Sequence, residues 1–198
     1  MSGTAMTVGW KALRDAAVKA TRWGWPVMPG TFPSADRRWY GREGARRLCP
    51  IEDSWAQALV TDRVEAYEVW SEHPYGVLLV CGRGVDVLEL PEEWGARLSD
   101  AKVPQIPLAV SSSPRQWLLF TTTGSGHLSP ELTQVGVRLH TAGSWVALPP
   151  TTVEPMSPQR WLDPPPSSSP GSLREADEVQ HALLTALVRS GLGIGIRR

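Results

Sequence analysis

The sequence predicts an α+β (or α/β) fold, a mixed central sheet of about five or more strands with helices packed on it. Three observations carry this expectation. Residues 74–91 hold two β-branched, leucine-rich runs on either side of a Gly82-Arg83-Gly84 turn. Both runs are too apolar for an edge, which places them at the centre of a sheet. Helical periodicity brackets this stretch, and 198 residues suffice for one domain with a substantial core.

The elements follow in order. From residue 8 to 22, Trp10, Leu13, Ala17 and Ala20 recur at helical spacing. Gly24-Trp25-Pro26-Val27-Met28-Pro29-Gly30 then reads as a short strand bounded by proline and glycine. Residues 31–56 read as a loop. Its cluster Arg37, Arg38, Arg42, Arg46 and Arg47 is either a solvated surface or an anion contact. Residues 61–72 predict a helix with Val64, Tyr67, Val69 and Trp70 partly buried.

After Pro91, acids in a first turn predict a helix over 92–98. Strands follow at 106–110 and 117–120, then a polar loop over 121–130. Residues 135–140 and 144–150 read as a hairpin closed around Thr141-Ala142-Gly143. The domain is thus expected over 1–162, with a Pro/Ser linker at 163–171 and a C-terminal amphipathic helix and tail at 172–198. Ser172 with Glu175 forms a capping-box pattern, and Ala176, Val179, Leu183 and Leu187 make the apolar stripe. That stripe either folds back onto the sheet or binds a protein partner.

Composition excludes several classes. Lys plus Arg equals Asp plus Glu, so no global charge draws the chain to nucleic acid or membrane. Cys49 and Cys81 form no Cys-x-x-Cys pair, which speaks against a disulfide or zinc framework. With no signal layout and no apolar run of membrane length, the expectation is a cytoplasmic protein. His73, His127, His140 and His181 are scattered and compose no hydrolase set. Ten tryptophans predict either large core residues or a base-stacking platform.

The helix followed by Gly-Trp-Pro-Val, and the strand-turn-strand ending in Glu89-Leu90-Pro91, resemble the N-terminal domain of bifunctional DNA primase/polymerases, a member of the archaeo-eukaryotic primase superfamily. The resemblance implies a primase/polymerase-like fold over roughly residues 8–162. It also implies nucleotidyl transfer through divalent metal held by an acid-x-acid pair at that strand end. Here the pair reads Glu89 and Pro91, and proline cannot ligate. Asp86, three residues from Glu89, points to the other face. The family's second motif, a histidine that contacts nucleotide phosphates, aligns with Trp117 in Ser113-Pro114-Arg115-Gln116-Trp117. Its third, a late acid two residues past a glycine, aligns with Arg138 in Gly136-Val137-Arg138.

These departures remove metal and phosphate chemistry, so the resemblance implies a catalytically degenerate member with no metal, no cofactor and no catalytic residue. The candidate ligand residues are Arg83, Glu89, Arg115, Trp117, Arg138 and His140, for nucleotide or single-stranded nucleic acid. Glu89, Trp117 and Arg138 are expected to face one cleft. Arg138 either makes that cleft an anion pocket or pairs with Glu89 and fills it. Two alternatives stand beside this: a protein-interaction scaffold using the degenerate fold, its tryptophans and the C-terminal helix, and a residual metal-dependent nucleotidyltransferase.

Overall fold

A computed structural model describes residues 9–94, 98, 106–112, 115–166 and 173–189. Helix α1 (Trp10–Arg22) forms where the periodicity predicts it and buries Leu13, Ala17 and Ala20. It packs on α2 (Arg63–Glu72), whose start is capped by Asp62 accepting from the Val64 and Glu65 amides. The buried face of α2 is Ala66 and Trp70, whereas Val64 and Tyr67 are exposed, against the expectation for those two. The Trp10 indole N–H closes the helix pair by donating to the Trp70 carbonyl at 2.6 Å.

The strands are β1 (Val27–Gly30), β2 (Phe32–Pro33), β3 (Trp39–Tyr40), β4 (Gly76–Val80), β5 (Val85–Pro91) and β6 (Leu108–Ser112). After them come β7 (Arg115–Thr122), β8 (Arg138–His140), β9 (Trp145–Ala147), β10 (Thr152–Glu154), β11 (Ser157–Pro158) and β12 (Arg160–Asp163). They form a three-stranded sheet in the order β1-β4-β9, a five-stranded sheet in the order β12-β6-β7-β5-β8, and two small ribbons. The class is α+β, as expected. Every strand pair is antiparallel, so the expected single mixed sheet resolves into separate antiparallel ones.

Both apolar runs of residues 74–91 are central, but in different sheets: β4 lies between β1 and β9, and β5 between β7 and β8. The turn at Gly82-Arg83-Gly84 therefore closes no hairpin. It carries the chain from one sheet to the other. The turn at Thr141-Ala142-Gly143 does the same, since β8 joins β5 while β9 joins β4. The two crossings are stacked. Gly82 has φ +80°, and a Cβ there would sit 2.4 Å from the Ala142 backbone, so only glycine fits.

Between the sheets and α1 lies a core of Trp25, Trp70, Leu79, Val87 and Phe120 among others, with Trp23 and Trp161 in the same aromatic cluster. Most tryptophans are buried or half-buried in this way, which favours the core account over a stacking platform. The opposite face of the five-stranded sheet is covered by α3 (Pro130–Gln134) and α4 (Ala176–Arg189). Val179, Leu183 and Leu187 of α4 are fully buried against Leu88, Leu90 and Leu119. The C-terminal stripe is thus committed to its own sheet, and Gln180 adds bonds to Ser129 N–H and the His127 carbonyl at 2.9 Å each. Ser172 of the capping-box pattern and residues 95–97 of the helix expected over 92–98 lie outside the described residues.

Candidate functional site

Glu89 stands on β5 with Val85 and Val87, on the face turned toward the inter-sheet core. Register places Leu118 of β7 and Arg138 of β8 opposite it. Three donors converge on its carboxylate. Gln116 Nε2 donates to Oε1 at 2.7 Å, and Arg138 Nη1 reaches the same oxygen at 3.4 Å. His140 Nε2 lies 2.8 Å from Oε2. An ionised carboxylate only accepts, so His140 carries a proton on Nε2. Burial alone would raise the Glu89 carboxyl. The hydrogen bond and charge of His140, then the charge of Arg138, outweigh that and hold it below the usual carboxylate range.

Beside this cluster opens a cavity of about 300 Å³, within the size range of small-molecule pockets. Its polar lining is Arg47, Glu89, Gln116, His140, Glu154 and Gln159, while Leu118, Trp145 and Val146 supply an apolar wall. Arg138 pairs with Glu89, as one of the two expected outcomes had it, yet its side chain remains 73% exposed. The pairing does not fill the cleft.

Of the sequence candidates, the fold brings together Glu89, Arg138 and His140 and leaves three elsewhere. Trp117 pairs in register with Leu90, so it stands on the opposite sheet face, packed toward α4, and its indole N–H donates to the Glu92 carbonyl at 3.1 Å. The expectation that Trp117 shares the cleft is therefore corrected. On a strand, a shift of one residue reverses the face, and the residue that meets Glu89 is Gln116. Arg115 is held by Glu92 at 2.6 Å and does not line the cavity. Arg83 lies in the exposed crossing turn at the other end of β5.

Sequence reasoning missed Gln116, Gln159 and Trp145. Nothing in a lone glutamine marks it before the register is known. Of the loop arginines, Arg47 alone lines the cavity; Arg42 is paired with Asp53 and Arg38 with Asp36. Helix α3 was also missed, although Ser129-Pro130-Glu131 carries its signal: a Ser cap that accepts from the Leu132 amide, proline in the first turn, and an acid beside it.

The donor set does not fit a catalytic divalent ion. Both Glu89 oxygens are engaged by side-chain donors, Pro91 offers no ligand, and the facing Arg138 is a cation. Proline is tolerated in this central strand because β8 pairs only with Val87–Glu89, leaving the side of Pro91 away from β7 without a ladder to disrupt. Among the described residues no three His, Cys, Asp or Glu side chains gather into a metal-binding group. No helix among them is long and apolar enough to cross a membrane.

No curated protein and no solved structure matches the chain. A family model does, that of the bifunctional DNA primase/polymerase N-terminal domain, over residues 16–178. The match spans most of the sequence, from α1 through the five-stranded sheet into the start of α4, and on that ground the chain belongs to the bifunctional DNA primase/polymerase N-terminal family.

Proposed function

We propose that this chain is a primase/polymerase-family domain that has lost nucleotidyl transfer and acts as a binding or regulatory module, with a nucleotide or short single strand held in the cleft beside Glu89. One observation carries the reading. The carboxylate that should hold metal is instead engaged by Gln116, Arg138 and His140, next to a cavity that stays open. A site that would repel free anions becomes one that tolerates them, with Arg47 exposed on the cavity lining and Arg138 exposed beside Glu89 at its edge. A guanidinium–phosphate hydrogen bond contributes roughly 1.5–3 kcal/mol, which supports binding in the micromolar-to-millimolar range, weakening as salt rises.

Titration calorimetry with nucleotides and a short single strand, on the wild type and Arg138→Ala, tests this. The expected result is weak binding at low salt that the substitution reduces. No binding at low salt, or binding that Arg138→Ala leaves untouched, removes the proposal. Primer extension with magnesium or manganese separates the residual transferase: we expect none, and template-dependent extension abolished by Glu89→Ala would reverse the assignment. The apolar stripe of α4 is buried in its own fold, so the scaffold alternative rests on the other surfaces of the domain.

A further inference from the structure

We infer that the cavity between the β2–β3 and β10–β11 hairpins is a second ligand site, which takes a small apolar molecule carrying one carboxylate. The cavity measures about 480 Å³, within the range of small-molecule sites, and no residue lines both it and the Glu89 cavity. Its walls come from α1, the two hairpins and the segment entering β4. Leu13, Phe32, Pro33, Pro74, Pro155 and Met156 make them largely apolar.

The backbone points to this cavity independently of its size. Among the described residues, the non-glycines with a left-handed φ are Arg37 at +63° and Met156 at +70°, and both line it. Each stands where a hairpin turn favours glycine. In β2–β3, the Ser34 N–H donates to the Arg38 carbonyl at 2.9 Å and the Arg37 N–H to the Ser34 carbonyl at 3.0 Å. That closes a three-residue loop with Arg37 at its bulge position. In β10–β11, the turn Glu154-Pro155-Met156-Ser157 has proline second and a positive φ third, the position a type II turn gives to glycine. Glycine would relieve the strain at both places. Two long side chains stand there instead, and they meet across the hairpins, Arg37 Nη2 donating to Met156 Sδ at 3.6 Å. Strain repeated on two tips that converge on one cavity is accounted for by what those side chains do there.

The lining sets the chemistry of the ligand. Arg37 is the one charged side chain among the residues that line the cavity, and no carboxylate faces it there. The adjacent Asp36 is taken up by Arg38 and Ser34. Arg37 makes no ion pair among the described residues, and its partner Met156 offers only a thioether, a weak acceptor. An exposed guanidinium at the mouth of an apolar cavity matches a carboxylate, which it can hold through two N–H groups. Phe32 and the prolines would cover the hydrocarbon part, and Met156, 58% exposed and unbranched, can adapt to its shape.

Octanoate, octanol and acetate, each titrated against the full chain by ligand-observed NMR, test this. Octanoate is expected to bind more tightly than octanol, and acetate not at all. Arg37→Gly should weaken octanoate by about three- to tenfold and leave octanol unchanged, while Arg37→Lys keeps part of the octanoate preference. Met156→Gly should weaken both. Each glycine variant should melt at or above wild type, since it relieves a left-handed residue. Where one melts lower, the asparagine variant at the same position takes its place, because asparagine tolerates this backbone without the long side chain. Octanol bound as tightly as octanoate by the wild type overturns the inference. So does octanoate affinity that neither glycine variant moves, and so does the absence of octanoate binding. Sedimentation that finds the wild type self-associating and Met156→Gly monomeric assigns the cavity to a second copy of the chain, and overturns it too. The reading of the Glu89 cleft is decided separately, since no nucleotide enters these titrations.

Discussion

Strand β5 carries two carboxylates three residues apart, and their surroundings differ in kind. Asp86 is fully buried. It accepts from the Gly82 and Gly124 amides at 3.0 and 3.2 Å and from the Thr123 and Thr141 hydroxyls at 3.5 and 3.2 Å. These are neutral donors on three separate loops, including both turns that cross between the sheets. Glu89, on the opposite face, meets side chains that carry or can carry charge, next to an open cavity. A carboxylate saturated by backbone and hydroxyl donors ties loops together. One balanced by titratable and exposed partners beside empty space holds charge ready for a visitor. Neither is arranged as a metal ligand.

Asp86→Ala leaves four donors without their acceptor at the junction of the sheets, and should cost roughly 3–4 kcal/mol, lowering Tm by about 10 °C. A loss near zero in thermal melting would mean the crossings hold without it. Gly82→Ala attacks the same junction sterically. A positive φ and a contact of 2.4 Å to the Ala142 backbone predict a loss of about 2–4 kcal/mol in urea unfolding.

At the other carboxylate the effects are smaller and depend on pH. The folded Glu89 value lies below its unfolded one, so its contribution is fully present above the unfolded carboxylate range. It is lost as pH falls through the depressed folded value. The urea midpoints of wild type and Glu89→Gln should therefore differ at neutral pH and converge in acid. A gap that persists unchanged would show that the pairing is not ionic. Arg138→Ala should have the least effect on stability, about 0–1 kcal/mol, because solvent screens so exposed a partner. Its expected consequence is in ligand binding.

What could be read in the sequence was whatever local pattern determines. The α1 stripe, the centrality of both apolar runs, the amphipathic C-terminal helix and the family's framework all follow from periodicity and order along the chain. The meeting of Glu89 and Arg138 on one face, two of the three residues expected to share a cleft, followed from the motif order, and alternation along β8 puts His140 on the same side. Pairing across the chain lay beyond that pattern. A short glycine turn between two apolar runs reads as a hairpin, but in the folded protein both such turns are crossings between sheets, held by the buried Asp86. Which face Trp117 takes depends on cross-strand register, which alternation alone leaves unanchored. Gln116 and Gln159 acquire meaning only where β5, β7 and the β10–β12 segment meet. Tertiary structure decided these points because a polar side chain's role depends on which distant donors, acceptors and cavities surround it, and local propensity carries no information about them.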